Sequence, residues 1–332
     1  MHVCDCSCTV GIHLARAVLE SAQHNHADLG SFTDEERTPE PSNNDPRSGF
    51  ATPTPLPAQE TALKLTENFF SRCQFPYPIL VREEFIDQLT KMYAGYDDPR
   101  LHAHDRDLAQ DKILFMTNMV LAISVLSLAD DQPQALKLVE HYYATAITRL
   151  TSIMRKKDLS SLQCLLLFLL YSLKHSTRAP IWYISGLSMR MCIDLGLHSE
   201  NTIWIHHDDD SLASRIQADT KRRLFWVTYS MDRTFSMILG RPFAFKDGST
   251  DVQYPGVSLP ENQREQTIHW IQLQRLQSEI VSQLYLAKMS ESDSQFENEN
   301  SDAFIADMSR RLYEWKMRAM TLADKESHPL DW

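Results

Sequence analysis

Between Pro133 and Pro180, between Pro180 and Pro242, and between Pro260 and Pro329 the chain has no proline. Those three gaps narrow the choice of fold more than any other feature. A proline inside a helix removes a backbone donor and clashes with the preceding turn, so long helices need proline-free chain. Glycine is scarce too: 9 in 332 residues, with only Gly186 and Gly196 between residues 100 and 239. Tight β-hairpins and phosphate-binding loops need more glycine than that.

Helical spacing fills the gaps. "ETALKLTENFFSRC" is amphipathic and stops before "FPYP". "REEFIDQLTKMYAGY", "DRDLAQDKILFMTNMVLAISVLSLAD" and "PQALKLVEHYYATAITRLTSIMRK" follow, the last with Pro133 in its first turn, where a missing N–H costs nothing. "DLSSLQCLLLFLLYSLKH" offers Asp158 or Ser160 as N-cap. Four more segments continue the period to "SDAFIADMSRRLYEWKMRAMTLADK", and no alternating strand pattern competes. The expectation is an all-α, irregular multi-helix domain of about nine helices. Residues 60–332 read as that domain. Residues 1–59 read as a mostly disordered N-terminal segment and Pro-rich linker, too polar to offset its ordering entropy. The apolar run Ile113–Ala129 is interrupted by Thr117 and Asn118, and Leu162–Leu173 is too short to span a bilayer. Both read as buried helices, and no membrane partner is expected.

The net charge is -11. Neutralising phosphates needs a basic face, so the chain is not expected to bind DNA by itself. Cys73, Cys164 and Cys192 lie in apolar surroundings and read as reduced core residues. No nucleophile elbow, zinc-protease motif, P-loop or dinucleotide fingerprint occurs, and His141, His175 and His269 have no paired nucleophile nearby in sequence. The chain reads as a non-enzyme. Two clusters have metal-ligand chemistry. "HHDDD" offers His206 and His207 beside three aspartates, but five consecutive ligands cannot converge on one ion without sharp bending, and aspartates before a helix favour its dipole. Cys4, Cys6 and Cys8 form "CDCSC", without the second cysteine pair that zinc sites usually carry. Both are weak metal candidates.

Two helix-plus-exit segments stand out. In "YISGLSMRMCIDLGLHSE", Arg190 and Asp194 share a face, free to pair locally or to reach neighbouring helices, and Gly196 marks the exit. In "KRRLFWVTYSMDRTFSMILGRPFAF", Leu224, Val227, Met231, Phe235 and Ile238 form an apolar stripe that Phe225, Trp226 and Tyr229 widen. Asp232 and Arg233 interrupt it, and burial there requires pairing. Arg222, Trp226, Tyr229 and Arg233 share a further face, where a guanidinium can lie on a ring. Gly240 suits a left-handed cap, Pro242 forbids resumption, and Arg241 is left extended with donors free to reach sideways. These charges suit structural ion pairing, with direct ligand contact as the other reading.

At these residues the sequence resembles the fungal-specific transcription factor domain, the middle homology region of fungal binuclear zinc-cluster regulators. The resemblance rests on Gly186, Arg190, Leu195, Gly196, Leu197 and His198, then Arg222, Arg223, Phe225 and Trp226, then Asp232, Arg233, Gly240, Arg241, Pro242 and Pro255. It covers about Glu60 to Pro255. It implies a regulatory domain of a transcription factor, nuclear, acting with related regulators as a homo- or heterodimer, with coregulators, or under a small-molecule effector. The family's zinc belongs to an N-terminal six-cysteine module that "CDCSC" does not match. The expectation is therefore no zinc in this chain, and DNA contact only through an absent or partner module. The resemblance also implies a C-terminally incomplete domain. A helical interaction scaffold is the alternative reading, and a small-molecule-binding or enzymatic domain a further one.

Overall fold

The computed structural model describes residues 56–96, 108–129, 132–175, 181–204, 211–283 and 296–324. Among them there is no strand, and nine helices have ten residues or more. With two shorter ones, the α-helices in chain order are α1 (Gln59–Asn68), α2 (Arg82–Tyr96), α3 (Leu108–Leu128), α4 (Pro133–Ile147), the short α5 (Leu150–Ile153), α6 (Leu159–Lys174), α7 (Ile181–Asp194), the short α8 (Glu200–Trp204), α9 (Leu212–Ile238), α10 (Glu261–Val281) and α11 (Phe296–Asp324). The Pro-rich linker up to residue 55 and the aspartates of "HHDDD" lie outside the described residues.

The described residues fall into two compact units, one up to Ile268 and the other from His269, the boundary lying within α10. The first is organised around α3. That helix is apolar on every side because α1, α2, α4, α5 and α6 all pack on it. Phe115, Met119, Val120 and Ile123 are fully buried there. Asn118 lies in the same core, its Nδ2 donating to the Leu114 carbonyl at 2.7 Å. By length and composition α3 could cross a membrane, but it is a core helix whose surface is mostly inside the protein. Asp158 is the N-cap of α6, accepting from the Ser161 N–H at 3.0 Å. It also holds the buried Lys112 of α3 at 2.6 Å, so one carboxylate starts a helix and neutralises a core cation. Helices α7 and α9 then pack on α6 and on each other.

In the second unit Trp315 of α11 donates its indole N–H to the His269 carbonyl at 2.8 Å, and the two rings stack at 4.2 Å. Arg311 grips Glu279 through both terminal nitrogens, at 3.0 and 2.9 Å.

Both motif helices end in the same way. Gly196 has φ 70° and Gly240 φ 60°. After α7 the Leu197 N–H donates to the Cys192 carbonyl and the Gly196 N–H to the Ile193 carbonyl; after α9 the Arg241 N–H donates to Ser236 and the Gly240 N–H to Met237. These are Schellman caps, which need a residue at positive φ. The surroundings of the two glycines differ. A Cβ on Gly196 would stand 2.2 Å from Thr202 Cγ2, whereas one on Gly240 would meet nothing within 4 Å. Gly240→Ala is therefore expected to cost only the left-handed strain, about 1–2 kcal/mol. Gly196→Ala should cost clearly more, because α8 must also shift. Urea denaturation of the two variants checks the order, and equal losses would contradict it.

Candidate functional site

Helix α9 begins at the N-cap Ser211, whose side chain accepts from the Ser214 N–H. It ends at the Gly240 cap. The chain then returns along the helix as an extended strap, residues 241–260, broken only by one short turn at Asp247–Ser249. Extended chain outside a sheet has no ladder to satisfy its backbone. Here side chains of α9 take that role, and their order shows the strap running antiparallel to the helix. Ser236 Oγ meets the Pro242 carbonyl at 3.4 Å, Asp232 accepts from the Ala244 N–H at 3.2 Å, and Arg233 donates to the Phe245 carbonyl at 2.6 Å. Tyr229 donates to Asp247 at 2.7 Å, and the Trp226 indole to the Gln253 carbonyl at 2.9 Å. Nearest the N-terminal end, Asp219 accepts from the N–H groups of Gly256, Val257 and Ser258 at 2.6, 3.1 and 3.0 Å, and from the Ser258 hydroxyl.

Three of these side chains, Asp219, Asp232 and Arg233, are charged and buried. Arg233 is 0% exposed. It spans Asp232 and Asp247, each at 2.7 Å, and its guanidinium carbon lies 4.0 Å from the Tyr229 ring centroid and 4.5 Å from that of Phe243. Two carboxylates and a carbonyl thus engage both terminal nitrogens, and two aromatic rings lie against the guanidinium. Burial holds the Asp232 carboxyl above its usual range, against the opposing pull of Arg233 and the Ala244 N–H. Arg223 is equally enclosed. It donates to the Pro78 and Leu80 carbonyls at 3.3 and 3.0 Å and to Ser258 Oγ at 3.1 Å, tying the strap to a segment well over a hundred residues away. Burial lowers its pKa, and the nearby Asp219 charge counters that. On the flank, Arg222 forms a close bidentate pair with Glu200 of α8, and Glu200 also accepts from the Gln253 N–H at 3.0 Å and the Trp204 indole at 2.9 Å. Burial pushes the Glu200 carboxyl up, but those hydrogen bonds outweigh it and the net shift is downward.

The motif residues thus separate into two groups. Arg222, Arg223, Trp226, Asp232 and Arg233 are buried and hold the strap. The ring beneath Arg233 is Tyr229, on its own face, whereas Arg222 lies 5.5 Å from the Trp204 ring. Gly196 and Gly240 are caps, and Pro242 follows the second. Arg190, Asp194 and Arg241 are exposed. Arg190 and Asp194 do not pair; Asp194 is held by Lys157 at 2.5 Å. Arg241 does not reach a carboxylate but lies 5.8 Å from the Trp182 ring. The reason is geometric: the Schellman turn carries residue 241 off the end of the helix, while Arg233 is already inside it. Arg190→Ala and Arg241→Ala should each leave the melting temperature nearly unchanged, as exposed substitutions usually shift stability by within about 0.5 kcal/mol. A drop of several degrees in either would contradict this placement.

Sequence reasoning passed over Asp219, Glu200 and Asp247. Asp219 carried a signal, since it precedes Arg223 by one helical turn on the face that leads to Trp226. Cys4, Cys6, Cys8, His206 and His207 lie outside the described residues. Among the described residues no three His, Cys, Asp or Glu side chains are grouped to hold a metal. Cys73, Cys164 and Cys192 are buried and free, and burial pushes the Cys192 thiol up to about 12, far from the thiolate that zinc needs. The described residues do not fit a zinc site.

A family model described as "Fungal specific transcription factor domain" matches residues 66–317. The chain is similar to the "Positive regulator of purine utilization" of Emericella nidulans, 26% identical over 68% of this chain and 26% of the relative. It is 25% identical to the "ABC-transporter-regulating transcription factor" of Aspergillus oryzae over 79% of this chain and 29% of the relative. It is 34% identical to "Pyrimidine pathway regulatory protein 1" of Saccharomyces cerevisiae over 36% of this chain and 12% of the relative. The chain spans less than a third of the length of these curated relatives. No solved structure matches it significantly.

Proposed function

The chain belongs to the fungal specific transcription factor domain family, and on that premise we propose that it is the regulatory domain of a fungal transcription regulator, working in the nucleus without catalysing a reaction. The observation that carries this reading is the family match across residues 66–317, which takes in α9 and the whole strap. Of the relatives named above, one is named a transcription factor and the other two regulators of a pathway. The buried charges support a structural rather than catalytic use of the motif: Arg233, Asp232 and Asp219 spend their hydrogen bonds on one another and on the strap, and Arg223 spends its own on the Pro78 and Leu80 carbonyls and Ser258 Oγ. DNA would be reached through a separate zinc-cluster module or a partner, because the net charge of -11 opposes phosphate binding by this domain.

Joining the chain to an activator with an unrelated DNA-binding module tests the reading. Reporter output in a fungal host should change relative to the activator alone, and Arg233→Ala should remove the effect. Output unaffected by the chain would contradict a regulatory role. A gel shift at physiological salt tests the statement about DNA, and tight sequence-specific binding by the purified chain would overturn it.

A further inference from the structure

Two arginines of the motif take no part in holding the strap. Arg190 and Arg241 are exposed, and among the described residues neither has a carboxylate partner. Both lie on one ridge of α7. The Arg241 guanidinium sits over Trp182, and that of Arg190 folds back over Gly186, where a Cβ would stand 3.6 Å from its Nη1. Trp182, Gly186 and Arg190 follow one another at intervals of four residues, so Trp182 and Gly186, against which the two cations lie, are one turn of α7 apart, a rise of about 6 Å.

Large apolar side chains are exposed on the same two elements, α7 and the C-terminal end of α9. Tyr183 is 70% exposed and Leu187 38%, one turn apart on α7, while Ile238 and Leu239, at the C-terminal end of α9, are 57% and 47% exposed. The nearest acid on the α7 face, Asp194, is occupied by Lys157. An acidic chain therefore carries here a local positive face with an uncovered apolar centre.

We propose that this face docks a partner protein through an acidic amphipathic helix. Carboxylates of the partner meet Arg190 and Arg241, and its apolar side chains cover Tyr183, Leu187, Ile238 and Leu239. Charge complementarity selects this occupant. A nucleic acid would satisfy the two guanidinium groups but leave the apolar centre in water, and two cations on a chain of net charge -11 supply little phosphate attraction. A second copy using the same face would bring arginine against arginine. An acidic helix satisfies both halves of the surface, in the way a helix fills a hydrophobic groove with charges at the rim.

Fluorescence anisotropy with the full chain tests this. The probe is a labelled synthetic helix of about 18 residues, long enough to hold helical structure, with Leu and Phe at every third and fourth position and Glu at the flanking ones. Saturable binding is expected. Arg190→Glu/Arg241→Glu should weaken it at least about tenfold, and the same peptide with Lys in place of Glu should bind that variant better than the native chain. Both side chains are exposed and free of ion pairs, so the variant should melt as the native chain does. If it does not, Arg190→Gln/Arg241→Gln serves in its place and should also weaken binding. The proposal is overturned by absent binding to the native chain, by equal binding to native and variant, or by a charge-swapped peptide that regains nothing. Tighter Arg-dependent binding of a DNA duplex, or an Arg-dependent dimer in ultracentrifugation, would overturn it as well.

Discussion

Arg233→Ala is expected to destabilise the protein by about 3–5 kcal/mol, the range for removing one partner from a buried ion pair. The substitution does more than delete a cation. It leaves Asp232, 1% exposed, with the Ala244 N–H, takes a donor from Asp247, and frees the Phe245 carbonyl. It also empties the space between the Tyr229 and Phe243 rings. Arg233→Lys should rescue little, because an ammonium cannot reach two carboxylates and a carbonyl with a planar fork. Urea denaturation measures the loss. A decrease below about 1 kcal/mol, the level of a surface ion pair, would mean that Arg233 is not the centre of the network.

Asp219→Ala is expected to cost a similar amount, about 3 kcal/mol, by a different route. No covalent or helical constraint holds Gly256, Val257 and Ser258; their N–H groups are satisfied by one carboxylate. Each donor left without a partner costs about 1–3 kcal/mol if it stays buried, so the segment should peel into water instead. The substitution also removes the nearest counter-charge to Arg223. Limited proteolysis is the sensitive readout: the native strap should resist cleavage and the variant should be cut between Val252 and Pro260. Asp219→Asn should fall between the two, since an amide offers one acceptor oxygen where the carboxylate offers two. Equal resistance in native and Ala forms would remove Asp219 from this role.

What the sequence revealed follows the range of the interactions. The helices were legible because apolar periodicity and proline placement are local. So were the two caps, since a glycine that ends an apolar stripe leaves a mark within a few residues. The burial of Asp232 and Arg233 could also be read, because they interrupt a helix that is apolar over most of its circumference. Their partners could not. The Arg233 donors end on Phe245 and Asp247, those of Arg223 on Pro78 and Leu80. Neither a strap without strand alternation nor a carbonyl has a sequence signature. The same limit explains the expectation for Arg241: its donors were free to reach sideways, but only the fold shows that a ring rather than a carboxylate lies there. Glu200 did not stand out in the sequence because its four partners converge from α8, α9 and the strap.

The central claim is that side chains of α9 hold the extended strap as a sheet neighbour would. Amide hydrogen exchange reads it most directly. Ala244, Gly256, Val257 and Ser258 lie outside the helices, yet each amide is bonded to Asp232 or Asp219. The four are expected to exchange far more slowly than free chain, including Val257, whose side chain is half exposed. In Asp219→Ala the last three should lose that protection while Ala244 keeps it. Exchange of all four at the free-chain rate in the native protein would contradict the account.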